Sequence, residues 1–221
     1  MESRTPLVIC GSGGFGQEAA WVAERINEIR PEFTILGFCD DDSGQKGRTV
    51  YGYEVLGRPD EVNAVLQSRP AFVCAIGDNQ ARKLAVARMT DLGWRPVYLV
   101  DPSVIIAKGV EVGPGTYVGA GSILSANATI GSHVIINHCC SIGHDSITAD
   151  FAQVAPGGRV SGGVRIGEGA MLGSNACVAP GRRIGANSVV GSNSFATHDV
   201  PDDVTVLGVP ARRIMSRQRS A

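Results

Sequence analysis

Large aromatic side chains are scarce in this chain of 221 residues: Phe, Tyr and Trp together make up 5%. Glycine is abundant at 29 residues, and a glycine-rich, ring-poor composition points to many tight corners rather than an ordinary core. An excess of charge is also missing, since 20 Lys and Arg face 21 Asp and Glu. A chain this close to neutral lacks the broad basic surface on which nonspecific nucleic-acid binding depends, so no nucleic-acid partner is expected. No run of eighteen apolar residues occurs, which excludes a membrane-spanning helix and a membrane partner of that kind. The polar opening Met1-Glu2-Ser3-Arg4-Thr5-Pro6 is a poor secretory leader. The six cysteines form no CxxC pair and read as small buried thiols, kept reduced in a cytoplasmic protein. What is present, 43% apolar and 19% charged residues, is the composition of a soluble globular protein.

The apolar pattern changes near residue 100. Before it, strand and helix signals alternate. Leu7-Val8-Ile9-Cys10 is a buried-strand run, glycines follow, and helical spacing covers Gln17 to Ile29 until Pro31. Phe33 to Phe38 is a strand closed by Asp40-Asp41-Asp42; Phe72 to Ile76 and Val97 to Val100 are two more, interleaved with helices over Asp60 to Gln67 and Asn79 to Leu92. Such alternation implies an α/β domain over residues 1–100, a Rossmann-like parallel sheet covered by helices. Gly11, Gly13 and Gly16 fit GxGxxG between a strand and a helix, which suits a phosphate at the helix N-terminus, and Asp40 stands where a ribose-binding acid would. About 100 residues make one mononucleotide half, not a dinucleotide fold with a catalytic region, which disfavours a dehydrogenase.

From Ile106 to Val190 every sixth residue is Val, Ile or Leu, except for the β-branched Thr148. The residue after each is mostly small or turn-forming. This is the hexapeptide repeat of a parallel β-helix, in which three short strands and three corners make an eighteen-residue coil. Ile106 to Phe195 then forms five coils, each rising about 4.8 Å, within a second domain expected over residues 101–221 that ends in a tail. Sixth positions point to the axis. Residues eighteen apart become neighbours on one edge, which pairs His144 with Gly162 and Ser174 with Ser192. Period six leaves the handedness open.

Five segments carry a resemblance: Gly11-Ser12-Gly13-Gly14-Phe15-Gly16, Asp40-Asp41-Asp42, Ile76-Gly77-Asp78-Asn79, Ile142-Gly143-His144-Asp145 and Gly208-Val209-Pro210-Ala211-Arg212-Arg213-Ile214. Through them the chain from Leu7 to Met215 resembles the bacterial nucleotide-sugar N-acetyltransferases of the left-handed β-helix superfamily, close relatives of the sialic acid O-acetyltransferases. The resemblance implies a left-handed parallel β-helix, a homotrimer with active sites between subunits, and acetyl-CoA as co-substrate without a metal. It implies acetylation of a 4-amino-4,6-dideoxysugar carried on UDP, dTDP or GDP, as a building block for surface polysaccharide such as the O-antigen of lipopolysaccharide.

Residue by residue, the resemblance maps the general base onto His144, with Asp145 orienting the imidazole and stabilising its protonated form. Histidine is the side chain best matched to that proton transfer near neutral pH. The N–H that would stabilise the tetrahedral oxyanion maps onto Gly162, which the eighteen-residue spacing independently puts beside His144; the alternative is that Gly162 only makes a corner. Coenzyme A maps onto Gln153, Gly162, Ser174 and Ser192, while Arg182 and Arg183 either pair with its phosphates or are merely solvated. Gln153 departs from relatives with a second histidine there and cannot act as a base. In the first domain, Gly13, Gly14 and Phe15 would line the phosphates and sugar, Asp40 and Asp41 would contact base or ribose, and Gly77 would close the pocket. Phe15 replaces a histidine common in relatives, and it either meets the sugar or simply packs. An aspartate accepts both donors of a guanine edge, which with overall similarity favours a GDP-linked sugar such as GDP-perosamine. His133 and His138 have the spacing of a zinc pair in hexapeptide carbonic anhydrases, but no histidine precedes them to complete three ligands. Two other classes stay open: an O-acetyltransferase, in which His144 deprotonates a hydroxyl, and a non-catalytic nucleotide-binding trimer.

Overall fold

The computed structural model describes residues 4–66 and 69–214. Met1 to Ser3, Gln67 at the end of the second expected helix, and Met215 with the tail Ser216 to Ala221 lie outside the described residues. In chain order the first domain comprises β1 (Thr5–Cys10), α1 (Gly14–Ile29), β2 (Phe33–Cys39), an antiparallel hairpin of β3 (Thr49–Val50) and β4 (Tyr53–Glu54), α2 (Pro59–Val65), β5 (Ala71–Cys74), α3 (Asn79–Asp91) and β6 (Arg95–Pro96). The strands β2, β1, β5 and β6 lie side by side, all parallel. Alternation along β1 sets the layers. Leu7 and Ile9 pack with Ala19, Ala20 and Ala23 of α1, whereas Val8 and Cys10 face Val62 of α2 and Val86 and Met89 of α3.

Two expectations shift here. The first helix begins at Gly14 rather than Gln17, because the glycine turn is already wound into its first turn. Gly16 allows this: an added Cβ would collide with the carbonyl oxygen of Gly11. Val97 to Val100 is not the fourth strand of the sheet. That strand is β6, and Leu99–Val100 pairs instead with Tyr117–Val118 as the first rung of the second domain. A short apolar run does not disclose which sheet it will join.

The second domain is a parallel β-helix with three faces. The first runs from Leu99–Val100 to Thr205–Leu207, the second from Ile105–Ile106 to Phe195–Ala196, and the third from Glu111–Val112 to Arg183–Ile184. Rungs pair at eighteen-residue intervals, as Tyr117 with Ile135 and Ile135 with Gln153. Val118, Leu124, Ile136, Ile142, Val154, Leu172, Val178 and Val190 fill the axis of the prism. The coil extends past the expected Ile106 to Phe195 at both ends. At the last rung the spacing shortens, with Thr205 pairing Val189, and Arg212–Arg213 closes that face antiparallel. Corners turn through residues with left-handed backbone, also eighteen apart; Gly109, Asn127, Asp145, Gly163 and Gly181 form one such column. Cys10, Cys39, Cys74 and Cys140 are buried, but Cys139 is exposed and Cys177 partly so, because corner and outward positions of a thin prism face solvent.

The first domain sits on the first face. Leu99, Tyr117 and Ile135 share a core with α1, and the Phe15 ring meets Tyr117 edge-on with centroids 5.0 Å apart. Arg25 of α1 is bonded to Asp101 at 2.6 Å. A triangular prism covered on its first face has one edge opposite, between the second and third faces, and His144 stands on that edge.

Candidate active site

The corner Ile142-Gly143-His144-Asp145 follows the rung Ser141–Ile142 on the second face. Ile142 is buried in the axis, so the next residues swing outward, and the His144 side chain is 70% exposed. Asp145 takes the left-handed corner conformation, φ 57°, and its N–H is fixed by the carbonyl of Ala126 at 3.0 Å. This aims the carboxylate back at the preceding residue: Asp145 Oδ2 lies 2.8 Å from His144 Nδ1, and Asn127 Nδ2 donates to Oδ1 at 3.0 Å. The hydrogen bonds from His144 and Asn127 hold the Asp145 carboxyl below its usual range. With Nδ1 engaged, Nε2 is the nitrogen free to take a proton. One coil on, Gly162 lies directly against it, so close that a Cβ there would collide with Nε2. The carbonyl of His144 accepts from Gly163, whereas the N–H of Gly162 donates no hydrogen bond among the described residues. An imidazole held by Asp145 on Nδ1 therefore stands against a residue whose N–H has no partner among the described residues.

The other solenoid positions are not gathered around that spot within one chain. Ser174 and Ser192 stand one above the other, with Asn193 donating to the Ser174 carbonyl at 2.8 Å, but on the edge between the first and second faces. Gln153 is a first-face rung residue whose Oε1 is buried without a partner among the described residues. Arg182 lies on the His144 edge, and Arg183 on the third face is engaged by Asp202 at 2.8 Å. His133 and His138 face different partners: His133 is stacked between Phe72 and Phe151, and His138 Nε2 lies 3.5 Å from Glu18.

In the first domain a crevice opens at the C-terminal ends of β1, β2 and β5, lined by Cys10, Gly11, Asp40, Asp41, Ile76 and Arg88 among others. This is where parallel α/β sheets take ligands. Gly13 precedes the first turn of the sixteen-residue α1 without a side-chain cap, leaving that turn's N–H groups for an anion. Gly13, Gly14 and Gly77 face open space. Asp40 is committed to the loop: Oδ2 accepts from the N–H and Oγ of Ser12, at 2.8 and 2.6 Å, and Oδ1 from the N–H of Asp42 at 3.0 Å. Burial alone would raise its pKa, but these bonds outweigh it and hold the carboxyl low. Asp41 stays exposed at the rim, bonded to Arg88 Nη1 at 2.5 Å, with Asp60 on the other arm of that guanidinium. Phe15 packs on Tyr117, as one of its two readings had it. Ser12 and Arg88 were missed in the sequence. Ser12 lay within the glycine motif; Arg88, deep in a helix, carried no signal.

The sequence model of the PglD N-terminal domain matches residues 6–89, and that of the bacterial transferase hexapeptide (six repeats) matches residues 163–198. Comparison with curated proteins gives no match. Among solved structures, a histidine-to-asparagine mutant of perosamine N-acetyltransferase from Caulobacter crescentus, in complex with CoA and GDP-perosamine, is 31% identical with a TM-score of 0.84, covering 96% of this chain and 98% of that one. The acetyltransferase domain of PglB from Neisseria gonorrhoeae, in complex with acetyl coenzyme A, is 26% identical with a TM-score of 0.86, covering 96% of this chain and all (100%) of that one. WeeI from Acinetobacter baumannii is 26% identical with a TM-score of 0.85, covering 95% of this chain and 100% of that one. Coverage in both directions means that both domains and their order are shared. With a glycine-loop parallel sheet, a hexapeptide solenoid and this likeness along its whole length, the chain belongs to the nucleotide-sugar acetyltransferases of the left-handed β-helix family.

Proposed function

We propose that the chain transfers the acetyl group of acetyl-CoA to the 4-amino group of a nucleotide-linked 4-amino-4,6-dideoxysugar, with His144 as general base. The observation that carries the reading is the close approach of His144 Nε2 to Gly162, whose N–H has no partner among the described residues, with Asp145 on Nδ1. The amine nitrogen attacks the thioester carbonyl carbon as Nε2 takes its proton. Negative charge collects on the carbonyl oxygen, where the Gly162 N–H stabilises it. Collapse breaks the C–S bond, and the proton on the imidazolium passes to the departing thiolate. Asp145 favours the charged ring in between. No acyl-enzyme is formed.

The crevice lined by Asp40, Asp41 and Arg88, with the open start of α1 at Gly13 and Gly14 and with Gly77 next to its lining residue Ile76, would hold the nucleotide sugar, and a GDP-linked sugar such as GDP-perosamine is favoured. Asp41 supplies the rim carboxylate for a guanine edge, and the Caulobacter relative was solved with that sugar nucleotide. Because His144 stands on the edge opposite the first domain, the base that meets each crevice would come from a second copy, and a homotrimer would supply it symmetrically. Coenzyme A would then lie between copies, along Gly162 and Arg182 on one edge and Ser174 and Ser192 on another, with Gln153 near. Acetyl-CoA and nucleotide sugars place the reaction in the cytoplasm, ahead of surface-polysaccharide assembly.

The test is thiol release from acetyl-CoA with GDP-, UDP- and dTDP-linked 4-amino-4,6-dideoxysugars, beside their 4-hydroxy analogues. Turnover of an amine, reduced by at least about a hundredfold in His144→Ala with CoA binding kept, is expected. Turnover of only the hydroxy sugars would move the reading to O-acetylation, and CoA and nucleotide binding without turnover would leave a binding protein.

A further inference from the structure

Arg82 of α3 is 1% exposed, and no carboxylate lies within hydrogen-bonding distance of it among the described residues. All five of its N–H donors are used. Nη1 donates to the carbonyls of Ile76 at 2.9 Å and Gly77 at 3.2 Å, and Nη2 donates to Asn79 Oδ1 at 2.8 Å. Ile76 and Gly77 belong to the loop between β5 and α3, in which Ile76 lines the crevice, and Asn79 opens α3. The remaining donors cross to the solenoid: Nε to the carbonyl of His133 at 3.2 Å and Nη2 to that of Phe151 at 2.7 Å. His133 and Phe151 are eighteen apart. The next position in that column is Gly169, and its carbonyl takes Asn79 Nδ2 at 2.7 Å.

All three solenoid residues are left-handed corners, with φ of 55°, 57° and 64°. For two bulky residues that is a strained conformation, and the stacked rings of His133 and Phe151, 5.1 Å apart, share it. A single arginine–asparagine pair thus grips three successive coils with one end and the crevice loop with the other. Burial pushes the guanidinium down to about 10, which still leaves it charged at neutral pH. Apolar packing would join two domains as firmly as a buried cation held by carbonyl dipoles; what packing does not supply is a fixed distance and direction.

We propose that Arg82, braced by Asn79, is a positioning residue that sets the nucleotide-sugar loop at a fixed register on the solenoid, and so places the sugar amine before the base on a neighbouring copy. This rests on the function proposed above. Lysine, with three donors on one nitrogen, cannot span the five acceptors. In the full-length chain, Arg82→Lys should lower kcat/KM for the nucleotide sugar roughly tenfold to a hundredfold. Its dissociation constant for CoA, titrated calorimetrically, should stay within about twofold, because the CoA groove lies on other edges. Asn79→Ser, which releases the Gly169 rung and keeps Arg82, should act in the same direction and serves if Arg82→Lys does not fold. Lys83→Ala removes an ion pair to Glu168 and a cation over the Phe151 ring but leaves the clamp's hydrogen bonds in place, and it should leave kinetics unchanged. Wild-type kinetics in both clamp variants with only a lower melting temperature, or loss of CoA affinity in step with sugar turnover, overturns the positioning role alone. A wild type that neither binds nor acetylates any nucleotide-linked sugar overturns the functional reading and the positioning role together.

Discussion

Gly162 and His144 face each other across one coil, and the space between them has no room for a side chain. The backbone of Gly162 is not left-handed, so alanine there strains little. The cost falls on His144, whose exposed ring must swing aside and leave its 2.8 Å contact with Asp145. Gly162→Ala should therefore change stability by less than about 1 kcal/mol while lowering kcat by roughly a hundredfold. The two readouts are a thermal melt and steady-state kinetics; kcat within about threefold of wild type would separate Gly162 from the catalytic geometry. At this scale the sequence was readable where spacing fixes neighbours. Eighteen-residue arithmetic put Gly162 on His144, and adjacency put Asp145 on its ring. It was unreadable where a side chain chooses among partners. Asp40 stands at the place of a ribose acid, and no pattern announced that its oxygens also accept from Ser12 and Asp42. The role proposed for Arg82 rests on four backbone carbonyls and the Asn79 side chain, which no residue pattern announces.

Elements joined by repetition were legible and elements joined by docking were not. Period six marks every rung from Ile106 to Val190, because each aliphatic side chain must reach the axis. Leu99–Val100 looked like a sheet strand, since apolar runs of that length serve either structure. The join between the two domains depends on side chains distant in sequence, and Asp101 shows how. Its carboxylate is fully buried at the first solenoid corner, where it accepts from Arg25 of α1 at 2.6 Å and from Ser103 Oγ at 2.6 Å. Burial would raise its pKa, but the bonds from Arg25 and Ser103 outweigh burial and lower it. A carboxyl whose folded pKa is depressed stabilises the fold fully above its unfolded value near 4 and loses that contribution as pH falls through the folded value. Asp101→Asn should cost about 2–3 kcal/mol at neutral pH, a drop of roughly 5–10 °C in melting temperature. The gap between wild type and variant should hold down to about pH 4 and close below it, where the wild-type carboxyl is itself protonated. Melts across that range check this, and a gap that stays at full size however far the pH is lowered below about 4 would remove Asp101 from the acid response.

At the scale of the whole molecule the geometry of a prism makes a demand on assembly. The first domain covers the first face, and His144 occupies the edge opposite. Arg82 and Asn79 hold the crevice loop to three coils on the edge between the third and first faces, apart from the edge that carries His144. If each site combines the base of one copy with the crevice of the next, two dead variants must repair each other. His144→Ala removes the base and keeps the crevice. Gly77→Trp keeps the base and puts an indole next to Ile76, which lines the crevice; a Cβ on Gly77 meets no atom within 4 Å, so the fold tolerates it. Each variant alone should be inactive. Co-expressed in equal amounts with different tags, they should form mixed assemblies in which about one site in four pairs an intact base with an intact crevice, returning about a quarter of the wild-type rate. Mixed assemblies that form but stay inactive would place base and crevice of one chain in the same site, and the opposite-edge geometry would have to yield to a rearranged first domain.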